Sequence, residues 1–186
     1  MASVQDFIGL VRRKGLARIE KFQVNIFGPR IGSTLDEKDI SLLCEEASIP
    51  GLTIGTRTAR LHNLNIQRPS TIDYGGENAM FTFLVDGSWD VRKYFDKWMK
   101  TIVNDNREVN EYVNIIGGVQ IIALHEGPLV ALEVKEGQAE YREHTRYSVF
   151  LEEAFPKSMS PLSVAYGNPG LLRFTVSFAY KSWRIG

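Results

Sequence analysis

The side chains that could do chemistry are few and scattered. The three histidines, His62, His125 and His144, do not follow the short spacing of a metal-ligand motif. The single cysteine, Cys44, cannot form a disulfide within the chain, and its place in the stretch ISLLC (residues 40–44) is typical of a small buried hydrophobe. The sequence therefore predicts no metal site and no cysteine nucleophile.

Paired acids and paired glycines also give no pattern of a catalytic site. Adjacent glutamates at 45–46 and 152–153 fall in predicted strands, where neighbouring side chains point to opposite faces and cannot share a proton. The double glycines at 75–76 and 117–118 lack the Lys-Ser/Thr of a phosphate-binding loop and the strand–glycine–helix order of a dinucleotide site. We expect no cofactor, and nothing in the sequence indicates an enzyme.

Size and charge favour one globular domain that associates with itself. The chain has 186 residues, and 22 basic residues balance 22 acidic ones. A neutral chain has no field that concentrates nucleic acid, and it has little charge to oppose self-association. We expect one domain over residues 1–186. No apolar run approaches the roughly 20 residues of a membrane span, so no stable membrane association is expected. The charges at 12–14 follow the apolar residues, unlike a secretory signal.

The N-terminus predicts an amphipathic helix over residues 4–14. Val4, Phe7, Ile8 and Val11 follow the i, i+3, i+4, i+7 spacing of one helix face. We interpret residues 1–15 as a helical arm that lies against a neighbouring surface.

The first half of the chain then alternates like strands. Strands are expected at residues 22–26 and 40–47, and the second leads into a sharp turn. That turn is formed by Ile49, Pro50, Gly51 and Leu52. Residues 53–67 predict an extended ribbon that is interrupted near His62. The nearly continuous apolar run at 79–85 predicts a strand covered on both faces.

One amphipathic helix follows, and strands close the chain. Apolar residues from Val91 to Ile102 form one broad stripe along the predicted helix. Ser88 is expected to cap this helix, and the stripe would cover the open face of a sheet. Further strands are expected at residues 115–124, 129–134 and 147–155.

The last fifteen residues show strict alternation and predict a long, half-buried strand. An Asn-Pro-Gly turn at 168–170 predicts that this strand, over residues 172–183, forms a hairpin with residues 163–166. A patterned strand near the end of a chain is typical of a subunit that gives this strand to a larger sheet. The fold class predicted from these elements is mainly β (α+β).

Nucleic-acid binding is an alternative with some support. Arg57, Arg60 and Arg68 lie along the predicted ribbon, where they could follow phosphates. The neutral net charge argues against a protein that binds nucleic acid in a sequence-specific way.

Three passages together resemble the tail-tube family of contractile-tailed bacteriophages. They are residues 44–51 (CEEASIPG), residues 81–86 (FTFLVD) followed by the helix with YFDKW at 94–98, and residues 174–180 (FTVSFAY). The resemblance depends on the order and spacing of these hydrophobic and turn patterns. Residues 107–141 depart from it, because they are longer than the family's usual link between helix and closing strands.

The resemblance implies a β-barrel or sandwich with one flanking helix. The prominent N-terminal helix, predicted from its own residues, is a second departure from the family. Six such subunits would form a ring whose strands join into one inner barrel, and rings would stack into a hollow tube, as in type VI secretion and related injection machines. Partners would be further copies, tail sheath and baseplate proteins, with DNA passing through the lumen without sequence-specific binding. The location would be the tail of a virion assembled in the host bacterial cytoplasm.

Three functions therefore stay open. The first is the repeated tube subunit, a structural protein. The second is a baseplate tube-initiator or tail-terminator ring of the same fold. The third, from another class, is a monomeric β-barrel that binds nucleic acid. For a subunit interface, the candidate residues are Val4, Phe7, Ile8, Val11, Ile49, Pro50, Gly51 and Leu52.

Overall fold

The structure is a computed structural model that describes residues 3–14, 16–17, 19–29, 37–62, 64–75, 79–103, 108–124, 145–167 and 170–186. Its helices are α1 (Val4–Lys14), α2 (Glu37–Leu42), α3 (Asp90–Ile102) and α4 (Tyr112–Ile115). Its strands are β1 (Phe22–Phe27), β2 (Cys44–Ala47), β3 (Thr53–Leu61), β4 (Leu64–Asp73), β5 (Ala79–Leu84), β6 (Gly117–Leu124), β7 (Thr145–Met159), β8 (Arg173–Ala179) and β9 (Ser182–Ile185).

Seven of the strands form one antiparallel sheet. Its order is β1-β6-β7-β8-β5-β2, and β9 pairs with β7 beside this path. The predicted mainly β class is confirmed. The expected barrel is wrong for the single subunit, because β1 and β2 remain as two separate edges of the described sheet. Closing such a sheet requires its two edge strands to pair, and in this subunit they do not.

Strand β7 joins the two halves of the sheet. Its first part pairs with β6 and its last part pairs with β8, over a total of 15 residues. Glu153, where the partner changes, has φ of 52°, a left-handed conformation that non-glycine residues rarely adopt. The strand therefore bends at this residue, and both halves of the sheet face one core.

Helix α3 covers that core, as its apolar stripe predicts. Val91, Tyr94, Phe95 and Trp98 are buried, and the indole Nε1–H of Trp98 donates a hydrogen bond to the Ile115 carbonyl oxygen over 2.9 Å. From the opposite side, β5 and β8 contribute buried aromatic and aliphatic residues, namely Phe81, Phe83, Phe174, Val176 and Phe178. Several of these rings meet edge to face, an arrangement that adds stabilisation beyond the area buried.

The start of α3 is capped by a residue other than the predicted one. The N-cap position is Trp89, with φ of 62°, and its side chain makes no capping hydrogen bond. Instead the carboxylate of Asp86 accepts the backbone N–H groups of Asp90 (3.1 Å) and Val91 (3.2 Å). Ser88, which the sequence favoured as the cap, donates its hydroxyl to the same carboxylate. Burial acts to raise the pKa of Asp86, but these hydrogen bonds outweigh it and lower the pKa to about 2.

Replacing Asp86 by alanine should destabilise the subunit by about 1–2 kcal/mol, the usual cost of losing an N-cap acceptor. Since the pKa of the folded carboxyl lies below the ordinary value of 3.8, its stabilisation is complete above pH 4 and is lost as the pH falls toward 2. Urea unfolding at pH 7 and at pH 2.5 would measure both effects. Equal stability of Asp86→Ala and Ser88→Ala at pH 7 would contradict this assignment of the cap.

Two predicted strands differ from the structure. Residues 37–42 form α2, and only residues 44–47 of the expected strand are extended, because Ile40 and Leu43 follow helical spacing and Ile40 is fully buried. Strand β5 was expected to be covered on both faces, but only alternate residues are buried and Met80 is exposed.

The predicted terminal hairpin is also wrong. Residues 163–166 are not a strand, and β8 pairs with β5 and β7 instead. The alternation itself is confirmed, although the long strand divides into β8 and β9. The strand predicted at 129–134 lies outside the described residues.

Candidate subunit interface

The most exposed element is the hairpin formed by β3 and β4. Among the described strands, these two pair only with each other and form a sheet of their own. Every residue of β4 is exposed to solvent. A lone two-stranded hairpin is marginally stable in water, so an extended one is expected to gain stability from a further surface.

The side chains of this hairpin suit a protein contact. Ile54 and Ile72 are directly opposite each other, and they are 55% and 61% exposed. Arg57 is directly opposite Arg68. Like charges at such positions are unfavourable in an isolated strand pair. A partner that covers the isoleucines would remove their exposure to water, and acidic groups on it would offset the repulsion between the arginines.

The predicted turn lies at the base of this hairpin. Ile49 and Leu52 are exposed, and Pro50 is half-buried. The carbonyl oxygen of Gly51 accepts a hydrogen bond from the indole of Trp183, over 3.2 Å. The four turn residues are thus continuous with the exposed hairpin.

Helix α1 carries the other predicted interface residues on one exposed face. Val4 is 74% exposed and Phe7 is 59% exposed, Ile8 is also exposed, and Val11 is half-buried. No extensive packing joins α1 to another helix or strand among the described residues. The structure therefore leaves most of this apolar stripe accessible.

A capping box stabilises α1 locally. The hydroxyl of Ser3 accepts the N–H of Asp6, and the Asp6 carboxylate accepts the N–H of Ser3 over 2.8 Å. Hydrogen bonds from the Ser3 backbone and then from its hydroxyl lower the pKa of Asp6. The helix therefore forms with its own hydrogen bonds while its apolar face is open.

The sheet ends in two edge strands, β1 and β2, and α2 packs against β1. Edge strand β2 carries Glu45 and Glu46, and Arg173 of β8 forms a bidentate ion pair with Glu45 across the intervening β5. The hydrogen bonds from Arg173 lower the pKa of Glu45. An open edge presents unpaired backbone groups to another strand, and charges on it restrict which strand can bind.

The face of the sheet that turns away from α3 carries polar pairs beside exposed apolar residues such as Phe27 and Met80. Thr82 of β5 donates to Glu46 of β2 (3.2 Å) and lies 3.2 Å from the hydroxyl of Thr175 of β8. At the other end of the sheet, Asn25 of β1 donates to Gln120 of β6 over 3.3 Å. These rows link neighbouring strands with uncharged groups and one carboxylate.

The described residues offer little for catalysis or metal binding. Burial raises the pKa of the Cys44 thiol to about 12, so the thiol is protonated at neutral pH. Within the described ranges, no group of three His, Cys, Asp or Glu side chains is placed to hold a metal ion. No helix in the described part of the chain is long and apolar enough to cross a membrane.

The structure adds two features that the predicted site residues did not include. One is the hairpin as an isolated exposed unit, for which the interruption at His62 within a Thr- and Ile-rich ribbon was the available signal. The other is the pair of open edges, which depends on strand order and leaves no signal in local sequence.

Comparison with known proteins identifies this fold. The family model described as phage tail tube protein matches residues 17–186. No curated protein matches the chain.

Solved structures of contractile particles share the fold. A chain of the PVC extracellular contractile injection system, sheath-tube complex in the extended state, aligns with a TM-score of 0.63 and 12% identity over 96% of both chains. A chain of the 6-fold symmetrised anti-feeding prophage baseplate aligns with a TM-score of 0.62 and 16% identity, and the alignment covers 92% of this chain and 95% of that one. A chain of the PVC sheath/tube terminator aligns with a TM-score of 0.60 and 13% identity, and the alignment covers 92% of this chain and 96% of that one.

The solved structures are similar to this chain in fold, whereas the family model matches nearly its whole sequence. It includes the sheet, the covering helix α3 and the hairpin described above. The chain belongs to the phage tail tube protein family.

Proposed function

We propose that this protein is the subunit of a hexameric ring, and that such rings stack into the tail tube of a contractile phage or phage-like particle. The observation that supports the proposal most strongly is the open sheet, whose two edge strands are β1 and β2. If β1 of one subunit pairs with β2 of the next, the interface is heterologous, and a sixth copy closes it into a ring. The inner sheet then continues around the ring without a free edge.

Stacking requires a second surface, and the exposed β3–β4 hairpin supplies one. Its opposed isoleucines and opposed arginines are both unfavourable when left in water, so a neighbouring copy that covers them stabilises the polymer. The apolar face of α1 and the turn at 49–52 supply further contact area on the same polymer. Residues 1–186 act as one domain in this proposal, with residues 1–15 as its arm.

The role that follows is mechanical. A rigid tube is driven through the host envelope by a contracting sheath, and its lumen conducts DNA or effectors without binding them in a sequence-specific way. Two separate uncharged pairs, Thr82 with Thr175 and Asn25 with Gln120, suit a conduit surface. Sheath and baseplate proteins are the partners, no cofactor or catalytic activity is involved, and assembly occurs in the host cytoplasm before the tail joins the virion.

A terminator or baseplate ring of the same fold is the second candidate. It is favoured by the similarity to chains of the PVC sheath/tube terminator and the anti-feeding prophage baseplate. Such a protein would form one ring and would not polymerise.

Mass photometry over a concentration series tests the ring. We expect a species with the mass of six 21.0 kDa subunits, followed at higher concentration by multiples of that mass. A terminator or initiator would stop at the first species. A monomer at every concentration would contradict both candidates.

Deletion of residues 1–15 should leave a folded subunit that polymerises poorly. The described part of this segment contributes nothing to the buried core, so the melting temperature should change little and circular dichroism should lose only the helical signal of α1. Tube lengths measured by electron microscopy should fall severalfold, because the apolar face of α1 is lost from the contact.

The matched control keeps the helix and changes only its apolar face. Phe7→Ser should shorten tubes, whereas Gln5→Ser, at an exposed polar position of the same helix, should not. Unchanged tube length after the deletion would refute the role assigned to α1.

A further inference from the structure

The hairpin leaves the core at a point where both of its strands are held by the C-terminal segment. The hydroxyl of Tyr180 lies 2.7 Å from the carbonyl oxygen of Tyr74 and 2.8 Å from that of Gly75, and it donates to this pair. Both acceptors follow the end of β4. The Tyr180 side chain is buried and belongs to the core cluster, so this hydroxyl is anchored in the most rigid part of the fold.

A second contact holds the strand that enters the hairpin. The indole N–H of Trp183 donates to the carbonyl oxygen of Gly51, which precedes β3, over 3.2 Å. The Trp183 ring also meets the ring of Tyr74 edge to face, with the centroids 6.3 Å apart. Trp183 and Tyr74 are both half-buried and pack against the core.

The two contacts meet at one place. A side chain built at Gly75 would contact both the Tyr180 hydroxyl and the Gly51 carbonyl oxygen, at 3.6 and 3.8 Å. Gly75 has φ of +63°, which favours glycine, and its N–H donates to the Asp73 carboxylate over 2.8 Å. The chain therefore turns sharply after β4, next to the Gly51 carbonyl oxygen that Trp183 binds just before β3 begins.

We propose that Tyr180 and Trp183 form a clamp that fixes the direction in which the β3–β4 hairpin leaves the core. Beyond this clamp the hairpin has no ladder to the main sheet, so small rotations at its base become large displacements at its tip. The two side chains are positioning residues: they touch only the base, and they act on the exposed surface through it. The consequence for assembly rests on the proposed role of the hairpin in contacts between copies.

The test removes each hydrogen bond and keeps an aromatic ring at each position. Tyr180→Phe, Trp183→Phe and the double variant are compared with Tyr112→Phe, which deletes a tyrosine hydroxyl that donates to Glu153 over 2.9 Å and does not touch the hairpin. Hydrogen exchange measured by mass spectrometry follows residues 53–73 and, separately, β5 and β8. The melting temperature and the tube lengths of each variant complete the set.

We expect exchange in residues 53–73 to rise roughly fivefold in each single clamp variant, as loss of one hydrogen bond of about 1 kcal/mol implies, and further in the double variant. Exchange in β5 and β8 should stay unchanged, and tubes should become shorter. Tyr112→Phe should leave hairpin exchange unaltered.

Unaltered hairpin exchange in the double variant would overturn the clamp. So would a rise that is equal in the hairpin and the core strands, since that indicates a general loss of stability. Failure of the proposed function has a different signature: wild-type protein would form no rings, while the clamp variants would still loosen residues 53–73.

Discussion

A chain in which a short Gly-Ser linker replaces residues 53–73 should fold normally and form no tubes. Among the described residues, none of the buried core comes from this range, so its removal costs the core no contact. Thr53 and Asp73 are directly paired, and a short linker can therefore join the two ends. What is lost is the exposed surface of the hairpin, including the opposed isoleucines, and with it the contact that we propose between copies.

Circular dichroism and electron microscopy would separate folding from assembly. The point variant Ile54→Asp should reproduce the loss of tubes, because it places a charge in the covered patch. Val113→Asp is the matched control, since Val113 is also an exposed apolar residue but lies on α4, which is part of neither the hairpin nor an edge strand. Tubes of normal length from the hairpin-deleted chain would show that the hairpin takes no part in assembly.

Trp98→Ala should cost about 3–5 kcal/mol of subunit stability, the usual range for truncating a large buried aromatic residue. Trp98 is fully buried in the centre of α3, where its ring packs against Tyr94, Phe95 and Phe178. The truncation leaves a cavity and also leaves the Ile115 carbonyl oxygen without its donor. Such a loss is a large fraction of the stability of an ordinary domain.

Urea unfolding of the dissociated subunit measures this loss. Trp98→Phe keeps most of the ring and removes the N–H, so it should cost less. Trp89→Ala serves as the control, because Trp89 is partly exposed at the start of the same helix. If Trp98→Ala were no more destabilising than Trp89→Ala, α3 could not be the element that closes the core.

Periodicity predicted the elements that bury one face. The stripe from Val91 to Ile102 and the alternation that ends at Tyr180 both reflect burial against the same core, and the structure confirms them. The ribbon interrupted near His62 was also predicted, and it is the β3–β4 hairpin. In each case the local pattern and the tertiary environment agree.

The wrong predictions concern positions where the local sequence fits more than one structure. Residues 40–47 contain spacing that fits either a strand or a short helix, and the packing of Ile40 against the core decides for α2. Ser88 and Asp86 are both good capping residues, and the left-handed turn at Trp89 brings the Asp86 carboxylate to the free N–H groups. The partner of β8 depends on strand order, which a turn signal at 168–170 could not reveal.

The candidate interface was predictable only in part. The stripe on α1 and the turn at 49–52 were found by local pattern, and the structure shows that most of these residues are exposed. The open edges β1 and β2 and the clamp at Tyr180 and Trp183 arise from contacts between residues far apart in sequence. Such contacts leave no periodic signal in a single chain.

Negative-stain electron microscopy of the purified protein, over a concentration series, would show whether the subunits assemble as proposed. We expect six-fold rings at low concentration and hollow tubes of stacked rings at high concentration. Dispersed monomers at every concentration, with the fold intact by circular dichroism, would contradict it.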